Sequence, residues 1–402
     1  MLRRLSEFAE IGKTSAGGVN RQALSSEDRA ARRLLADLSA ARGFKVFQDA
    51  IANLFIRREG RNPAQPPMLI GSHLDSQPTG GRFDGALGTL AAFEVLEALE
   101  DAGSETASAI EVVAWTNEEG SRFAPGVMGS MAFAGAAHPD DFQPVTAGDG
   151  ASFREELAAT LAALPAAEMR PLGTPISAYL ELHIEQGPSL EREGLAAGVV
   201  TAVQGTRWLT VTFSGSAGHA GTTSLAYRRD PMVAATAALN RLQMSVMPHD
   251  DDARLTVGRF SAYPGSINAI PDRVTFTVDI RHPDAASLSA IDASVCAACE
   301  EAALLQRCGV EIATSFDMPP GSFSKVMTDR IEAAARVLEL PYKRMISGAF
   351  HDALFVARIA PAAMIFVPCR DGISHNEAEY VEPVDAINGA RLLLEATMES
   401  TA

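Results

Sequence analysis

The chain has 402 residues, about three times the length of a common domain, so a single small module is excluded. Hydrophobic residues make up 47% of the chain and charged residues 21%, which supplies a core and excludes a disordered protein. Lys and Arg number 34 against 50 Asp and Glu, a net charge of -16, so phosphate backbones and anionic lipids are poor partners. We therefore expect a globular protein of two domains, or one with an insertion, that binds neither nucleic acid nor membranes.

The distribution of apolar residues and cysteines indicates the cellular location. No stretch approaches the ~18 uninterrupted apolar residues of a membrane span, and residues 1–12 precede no apolar run, which predicts a cytoplasmic protein. Four cysteines are too few for a disulfide framework. Cys296 and Cys299 have the spacing of a redox or zinc pair. However, Val295, Cys299 and Ala302 recur at helical spacing, which favours thiols buried in a helix.

Short apolar runs alternate with helical patterns in the first half of the chain, which is typical of a helix-covered, largely parallel sheet. Apolar periodicity predicts a helix over 87–99, directly after the Asp84-Gly85 turn. In open α/β sheets, ligands bind beyond the carboxyl ends of the strands, so the loops that follow the strands are candidate sites. The predicted strands cover residues 53–57, 68–72, 110–115 and 178–184.

The pattern changes near residue 205. Residues 208–213 and 274–280 alternate apolar and polar side chains, which predicts antiparallel strands with one solvent-facing side. Helices are predicted over 231–247 and 285–305. After a linker, helical and buried-strand patterns resume over 326–338, 363–367 and 384–398.

These elements predict an α/β fold in which a smaller domain interrupts a larger one. The inserted α+β domain is expected over 207–318. The larger domain would then comprise residues 1–206 and 319–402.

The densest polar cluster follows the predicted strand over 68–72. His73 comes directly after this strand, and Asp75 points to the same side if the backbone remains extended. A carboxylate in that position can fix the tautomer of a metal-binding imidazole. A glycine-rich turn then leads to Asp84, whose two oxygens can bridge two cations. Taken alone, the His73-x-Asp75 pattern favours a polar surface loop over a metal site.

Acidic and imidazole side chains lie beside other predicted strands as well. Glu118 and Glu119 follow one strand, and adjacent carboxylates diverge, so one can bind metal while its neighbour acts as a general base. In isolation this pair favours a solvated acidic turn. Neither an HExxH motif nor a P-loop is present. Three histidines and two carboxylates together form a plausible ligand set for two metal ions, namely His73, Asp84, Glu119, His183 and His375.

Seven segments cover nearly the whole chain, about residues 1–398, in a fixed order. They are GSHLDSQPTGGRFDGALG, NEEGSRFAPGVMGS, HIEQGP, AGHAGTT, NAIPDRVTFTVDIRHP, SGAFHDA and SHNEAEY. In this order the sequence resembles the hydantoinase/carbamoylase branch of the M20 metallopeptidase family, which contains N-carbamoyl-L-amino acid amidohydrolases, beta-ureidopropionases and allantoate amidohydrolases. The resemblance implies a catalytic α/β domain with a helix-flanked mixed sheet, interrupted by a smaller dimerisation or lid domain, and therefore a homodimer.

The resemblance also implies a metal site and its chemistry. His73, Asp84 and His183 would hold one divalent ion, and Asp84, Glu119 and His375 the other. The ions would be zinc, manganese, cobalt or nickel, because all four tolerate nitrogen and oxygen ligands. Two further residues complete the implied machinery: Glu118 as the general base and Asp75 as the residue that orients His73.

The implied substrate is an N-carbamoyl-L-amino acid or a related ureido acid, whose linear amide bond is hydrolysed with release of ammonia and carbon dioxide. Arg281 would bind the substrate carboxylate in a bidentate manner, with Asn268 as an amide donor. His219 would reach the developing oxyanion, and Gln186 the ureido group. Further pocket residues follow Ser347, namely Gly348, Ala349 and His351.

Alternative functions stay open at this point. Phe350 occupies a position where the family usually has a smaller residue, so we expect it to make the substrate pocket narrower or more apolar. Thr223-Ser224-Leu225 replaces the more usual Thr-Pro-Met. An allantoate amidohydrolase, or a hydrolase of N-acyl-amino acids or dipeptides, is the main alternative enzyme. A non-catalytic binding protein is disfavoured, because all implied ligands and the base are present.

Overall fold

The computed structural model describes residues 1–401, with the backbone alone at 248 and 399–401. It divides into two compact units. Unit 1 comprises Met1–Thr201 together with the chain from Ser322 onward, and unit 2 comprises Ala202–Gly321. The sequence prediction had set the insertion at 207–318.

The helices and strands follow one another along the chain. The α-helices are α1 Leu2–Ala9, α2 Ser26–Ala41, α3 Ala86–Asp101, α4 Met128–Phe133, α5 Pro139–Phe142, α6 Phe153–Ala162, α7 Ser189–Glu193, α8 Pro231–Ser245, α9 Ala285–Leu305, α10 Lys325–Val337, α11 Asp352–Val356 and α12 Pro383–Thr401. The strands are β1 Lys45–Gln48, β2 Leu54–Arg58, β3 Met68–His73, β4 Ile110–Trp115, β5 Glu168–Met169, β6 Ala178–Ile184, β7 Ala197–Val203, β8 Gly205–Ser214, β9 Gly218–His219, β10 Arg254–Thr256, β11 Phe260–Tyr263, β12 Ala269–Ile270, β13 Arg273–His282, β14 Gly309–Met318, β15 Gly321–Ser322, β16 Tyr342–Ser347 and β17 Ala362–Val367.

A mixed sheet forms the centre of unit 1. Its strand order runs β7-β17-β6-β3-β4-β2-β1-β5, with β16 also paired to β7. The central strands β17, β6, β3 and β4 are mutually parallel. Towards the edges, β2 pairs antiparallel with β4, β1 antiparallel with β2, and β7 antiparallel with β17. The α/β class with a mixed sheet is confirmed. The parallel pattern predicted for the first half of the chain is thus limited to the centre of the sheet.

The four central strands are buried along their whole length. Every residue of β3, β4, β6 and β17 is buried, as expected for parallel strands covered on both faces. Helices α3 and α12 pack against each other and against this part of the sheet, whereas α4 packs on α11. Because these strands are parallel, their carboxyl ends lie at one edge of the sheet. The loops after them therefore meet.

Arg32, on α2, fixes the loop that follows β4. Its guanidinium pairs with Asp28 at 3.0 Å and is almost fully buried. It also donates to the main-chain oxygens of Ala52 at 2.6 Å and Trp115 at 3.3 Å. A buried ion pair is stable only when hydrogen bonds satisfy its remaining donors, and here the carbonyl oxygen of the last β4 residue takes part.

Unit 2 contains a separate antiparallel sheet with two helices. The strand order is β10-β13-β8-β14, with β11 also paired to β13. Along β13, Val274, Phe276, Val278 and Ile280 are buried and alternate with partly exposed residues, so the predicted one-sided burial is confirmed. Helices α8 and α9 pack against each other and against this sheet.

Helix α9 has the bounds that the sequence predicts, and it contains the Cys296-x-x-Cys299 pair. Asp284 caps it by accepting a hydrogen bond from the Ser287 N–H at 2.7 Å. Both thiols are free, and Cys299 is buried in the core of unit 2. Burial raises the pKa of the Cys299 thiol to about 12, so it stays protonated and unreactive at neutral pH.

We also looked for helices suited to a lipid bilayer. Among the described residues, none of the helices combines the length and the apolar composition needed to cross one.

Candidate metal centre and active site

The candidate site lies at the carboxyl edge of the four parallel strands of unit 1. His73 is the last residue of β3 and is in register with Trp115, the last residue of β4. His183, near the end of β6, is in register with Phe366 of β17. Glu118 and Glu119 follow β4, and His375 lies in the loop after β17. The sheet topology therefore brings together residues that are up to three hundred positions apart in the sequence.

Asp84 is at the centre of this cluster. Its Oδ1 lies 3.1 Å from Nε2 of His183 and 3.7 Å from Nε2 of His73. Its Oδ2 lies 3.6 Å from Nε2 of His375, which is in turn 3.3 Å from Oε2 of Glu119. The two oxygens of one carboxylate thus face two different groups of side chains. Each group could hold a metal ion: His73, Asp84 and His183, and Asp84, Glu119 and His375.

The hydrogen bonds of His73 and His183 determine which ring nitrogen is available. Nδ1 of His73 lies 3.0 Å from the main-chain oxygen of Asp75, and Nδ1 of His183 lies 3.0 Å from that of Ile184. A carbonyl oxygen only accepts, so both Nδ1 atoms must donate, and each neutral ring presents an unprotonated Nε2. Both Nε2 atoms are buried without a hydrogen bond of good geometry. This is the arrangement of imidazoles that bind metal.

The main chain of Asp75, rather than its carboxylate, makes the hydrogen bond to His73. The Asp75 carboxylate instead accepts from the N–H groups of Glu118 at 3.3 Å and Glu119 at 3.2 Å. It therefore fixes the turn that carries both glutamates. Its Oδ1 is also 3.7 Å from Nδ1 of His73. Burial raises the pKa of Asp75 to about 7.

The two adjacent glutamates point to different neighbours. Oε2 of Glu118 is 3.5 Å from Nε2 of His73. Glu119 accepts from the main-chain and side-chain nitrogens of Gln77 at 3.1 and 2.7 Å. Burial, together with surrounding carboxylates, raises the pKa of both glutamates well above the usual range. The side chains diverge as the sequence suggested.

The charges at the centre are strongly coupled. Although burial alone would raise the pKa of Asp84, the neighbouring His183 and His73 hold it well below the usual range. Burial would lower the pKa of His183, but Asp84 raises it to about 9, whereas burial dominates at His73 and lowers its pKa to about 4. Without a cation, a proton on His183 thus balances the charge of Asp84. Metal binding at such a site releases a proton.

Backbone conformation at the site is specialised. Asn117, Gln186 and His375 have positive φ angles near 55°, which non-glycine residues adopt rarely and mainly at functional sites. Gly85 also has a positive φ, of 61°. A Cβ atom at Gly85 would overlap the His73 imidazole ring. The glycine after Asp84 is therefore needed both for the turn and for the space that His73 occupies.

Gln186 and Ser374 support Asp84 from the side. The amide nitrogen of Gln186 donates to Oδ2 of Asp84 at 2.9 Å, and the Ser374 hydroxyl donates to the same oxygen at 2.9 Å. Gln186 also donates to the Ser374 hydroxyl at 3.1 Å. The sequence had indicated Gln186 as a substrate contact. In this structure its amide group holds the central carboxylate.

The segment from Ser347 to His351 lies beside His183. The Ser347 hydroxyl accepts from the Ala349 N–H at 3.2 Å and lies 3.0 Å from Nε2 of His351. The ring centroids of His351 and His183 are 4.5 Å apart. Gly348 is exposed, whereas His351 is buried. A third group that could hold a metal ion arises here, namely Glu181, His183 and His351.

The predicted substrate residues of unit 2 fall into two places. His219 and Ala269 pair between β9 and β12, and the main-chain oxygen of Asn268 accepts from Ala220 at 2.9 Å, so His219 and Asn268 are neighbours. Nδ1 of His219 accepts from two main-chain N–H groups, which leaves Nε2 of the neutral ring as a donor. Arg281 is near the other end of β13 and pairs with Asp279 at 2.8 Å.

The β8–β13 ladder measures this separation. Ser214 pairs with Arg273 at the end that leads to β9 and β12, and Thr206 pairs with Arg281 at the opposite end. Eight residues of strand, about 26 Å at 3.3 Å per residue, lie between these two positions. His219 and Asn268 lie beyond the Ser214 end of the ladder.

Several residues at the site carry no recognisable signal in the sequence. Glu379 is buried and accepts from the main-chain N–H groups of Phe83 and Asp84. Burial and the nearby Asp84 raise the pKa of Glu379 to about 8. Asn53 accepts from the Thr116 N–H at 3.0 Å, just before the two glutamates. These are contacts between side chains and distant main chain, which leave no periodicity to detect.

Comparison with known proteins places the chain in a family. Residues 69–399 match Peptidase family M20/M25/M40. The chain is 39% identical to the N-carbamoyl-L-amino acid amidohydrolase of Geobacillus stearothermophilus, over 97% of this chain and 95% of that protein. It is 35% identical to the allantoate amidohydrolase of Escherichia coli, over 96% and 94%.

A solved structure with the same fold gives a similar result. The hydantoinase/carbamoylase family amidase of Burkholderia multivorans superposes with a TM-score of 0.93 and 41% identity, and the match covers 100% of this chain and 97% of that one. The similarity therefore includes both units and every segment that contributes to the candidate site. The chain belongs to Peptidase family M20/M25/M40, in which its relatives include hydantoinase/carbamoylase amidases.

Proposed function

We propose that the protein is a dinuclear-metal amidohydrolase that cleaves the linear C–N amide bond of N-carbamoyl-L-amino acids or related ureido acids. The observation that carries this proposal is the position of Asp84, whose two oxygens face two separate groups of ligands. The substrate class follows from the Geobacillus relative, which is named an N-carbamoyl-L-amino acid amidohydrolase. The 35% identity to an allantoate amidohydrolase makes allantoate the second candidate substrate.

The proposed ligands are those that the sequence suggested. His73, Asp84 and His183 would hold one divalent cation, and Asp84, Glu119 and His375 the other. The unpartnered Nε2 atoms of His73 and His183 support this assignment, because buried imidazole nitrogens need a partner. Imidazole and carboxylate ligands suit zinc, manganese, cobalt and nickel. When bound, such cations polarise the scissile carbonyl and lower the pKa of water towards neutrality.

Glu118 is the proposed general base. It belongs to neither ligand group, yet its Oε2 lies 3.5 Å from the metal-facing nitrogen of His73. Asp75 holds its main chain, so the carboxylate is oriented without being used as a ligand. Glu118 would accept a proton from the attacking water and return it to the leaving nitrogen. The products of a carbamoyl substrate are then the free amino acid, ammonia and carbon dioxide.

Binding of the substrate is assigned to both units. Arg281 would bind the carboxylate, and Nε2 of His219 would donate to the oxyanion with Asn268 beside it. Gln186, Gly348, Ala349 and His351 would line the remaining pocket. Because the ladder places Arg281 far from His219, one small substrate contacts only one of these two ends in a given copy. If all three residues act together, a homodimer must supply them, and we propose this assembly.

Cation removal and a substrate panel test the proposed activity. We expect chelated protein to release no ammonia from N-carbamoyl-L-amino acids, and manganese, cobalt or zinc to restore the rate. The panel should include N-carbamoyl-L-amino acids, allantoate, N-acetyl amino acids and a dipeptide, each assayed for ammonia and amine. Preferred turnover of allantoate selects the second candidate. Turnover of acetyl or peptide substrates alone, or full activity in protein shown to be metal-free by elemental analysis, contradicts the proposal.

Substitution of Gly85 tests the ligand role of His73. Gly85→Ala places a methyl group in the His73 ring, so we expect loss of at least one bound cation per chain and of most activity. Gly103→Ala is the matched control, because Gly103 also has a positive φ but open space around it. Elemental analysis of both purified variants gives the cation content. Equal cation content in the two variants would show that the His73 ring is not needed.

Neutralising each of the adjacent glutamates separates their roles. Glu118→Gln should retain two cations but lower kcat about 10²- to 10⁴-fold, the usual contribution of a general base. Glu119→Gln should lose a cation instead, because it removes a ligand charge. Steady-state kinetics and elemental analysis on both variants provide the measurement. A near-normal rate for Glu118→Gln excludes it as the base.

A further inference from the structure

Glu379 is a buried glutamate outside both ligand groups. It lies four residues after His375, and only 2% of it is exposed. Its Oε1 accepts a hydrogen bond from the Phe83 N–H at 2.9 Å and another from the Asp84 N–H at 3.0 Å. One carboxylate oxygen therefore holds the main chain of the residue whose side chain lies at the centre of the site.

The surroundings of Glu379 are shaped to receive this side chain. A Cβ atom at Gly81 would overlap the Glu379 carboxylate, so the absence of a side chain at 81 leaves the space that the carboxylate fills. The next residue, Tyr380, packs its ring edge-on against Phe83, with the ring centroids 5.9 Å apart. Residues 379–380 and 81–84 thus interlock over two neighbouring contacts.

This contact joins the loop that carries Asp84 to the loop that carries His375. The side chains of Asp84 and His375 approach to 3.6 Å between Oδ2 and Nε2. Both belong to the second ligand group, whose third member is Glu119. Compared with the buried His73 and His183, His375 is exposed, so fewer contacts of its own side chain fix its position. The second group depends more than the first on how the two loops are held together.

We propose that Glu379 is a positioning residue that fixes Asp84 relative to His375 and thereby sets the affinity of the second cation site. The inference rests on the proposed function, since it assumes that Asp84, Glu119 and His375 bind a cation. Glu379 itself contacts neither cation nor substrate. It acts through two main-chain hydrogen bonds, in the way that outer partners of metal ligands commonly tune affinity.

Three substitutions separate positioning from packing. Glu379→Ala removes the acceptor, and Glu379→Asp withdraws it by one methylene, so that it no longer reaches both N–H groups. Glu379→Gln keeps an oxygen at the same reach. Glu382→Gln is the control, because Glu382 is an exposed glutamate nearby on the same segment, paired with Arg370.

The measurement is a calorimetric titration of the chelated full-length chain with Mn²⁺, combined with electron paramagnetic resonance to detect a coupled pair of ions. We expect Glu379→Ala and Glu379→Asp to bind the second Mn²⁺ about 10- to 100-fold more weakly and to lose the coupled signal at moderate Mn²⁺. The first Mn²⁺ should bind as in the unmodified chain. Glu379→Gln and Glu382→Gln should retain both ions and the coupled signal.

The outcomes distinguish this inference from the proposed function. If the unmodified chain binds two Mn²⁺ but Glu379→Ala or Glu379→Asp binds the second equally well, the positioning role is wrong and the proposed function is unaffected. Loss of the second site in Glu379→Gln as well would also overturn it, because an oxygen acceptor would then be insufficient. If Glu379→Ala does not fold, Glu379→Asp decides. If the unmodified chain binds no Mn²⁺ or other divalent ion, the proposed function itself fails.

Discussion

The buried charge of Asp84 is the constraint on which the rest of the site depends. A carboxylate removed from water costs several kcal/mol unless charges and hydrogen bonds compensate it. Imidazoles from three separate loops, the Gln186 amide and the Ser374 hydroxyl surround its oxygens. The four parallel strands make this possible, because their carboxyl ends lie at one edge and bring the loops together. Fold and site are therefore linked through a single side chain.

A second set of polar contacts holds the loop of Glu118 and Glu119. The Asp75 carboxylate accepts from both of their N–H groups, while Arg32 and Asn53 hold the end of β4 and the residue after it. These three side chains are fully or almost fully buried. Rigid support of this kind keeps a base close to a metal centre without allowing it to become a ligand. The proposed difference in role between two adjacent glutamates follows from it.

Sequence patterns predicted the elements that form this edge, but not all of their contacts. Strands β4 and β6 have the bounds that their apolar runs indicate, and the five suggested metal ligands lie together. Continuous burial makes such strands visible in the sequence, whereas β1 and β2 are short and their antiparallel pairing is not. Asp75 and Glu379 bind distant main-chain N–H groups, which no spacing reveals. The distance between Arg281 and His219 becomes apparent only from the strand register.

The most direct test of the account is anomalous X-ray diffraction from crystals of the zinc- or manganese-loaded protein. We expect two peaks at the absorption edge of the metal, one among His73, Asp84 and His183 and the other among Asp84, Glu119 and His375. A peak between Glu181, His183 and His351, or no peak at the Asp84 carboxylate, would contradict the claim that this residue joins two cation sites.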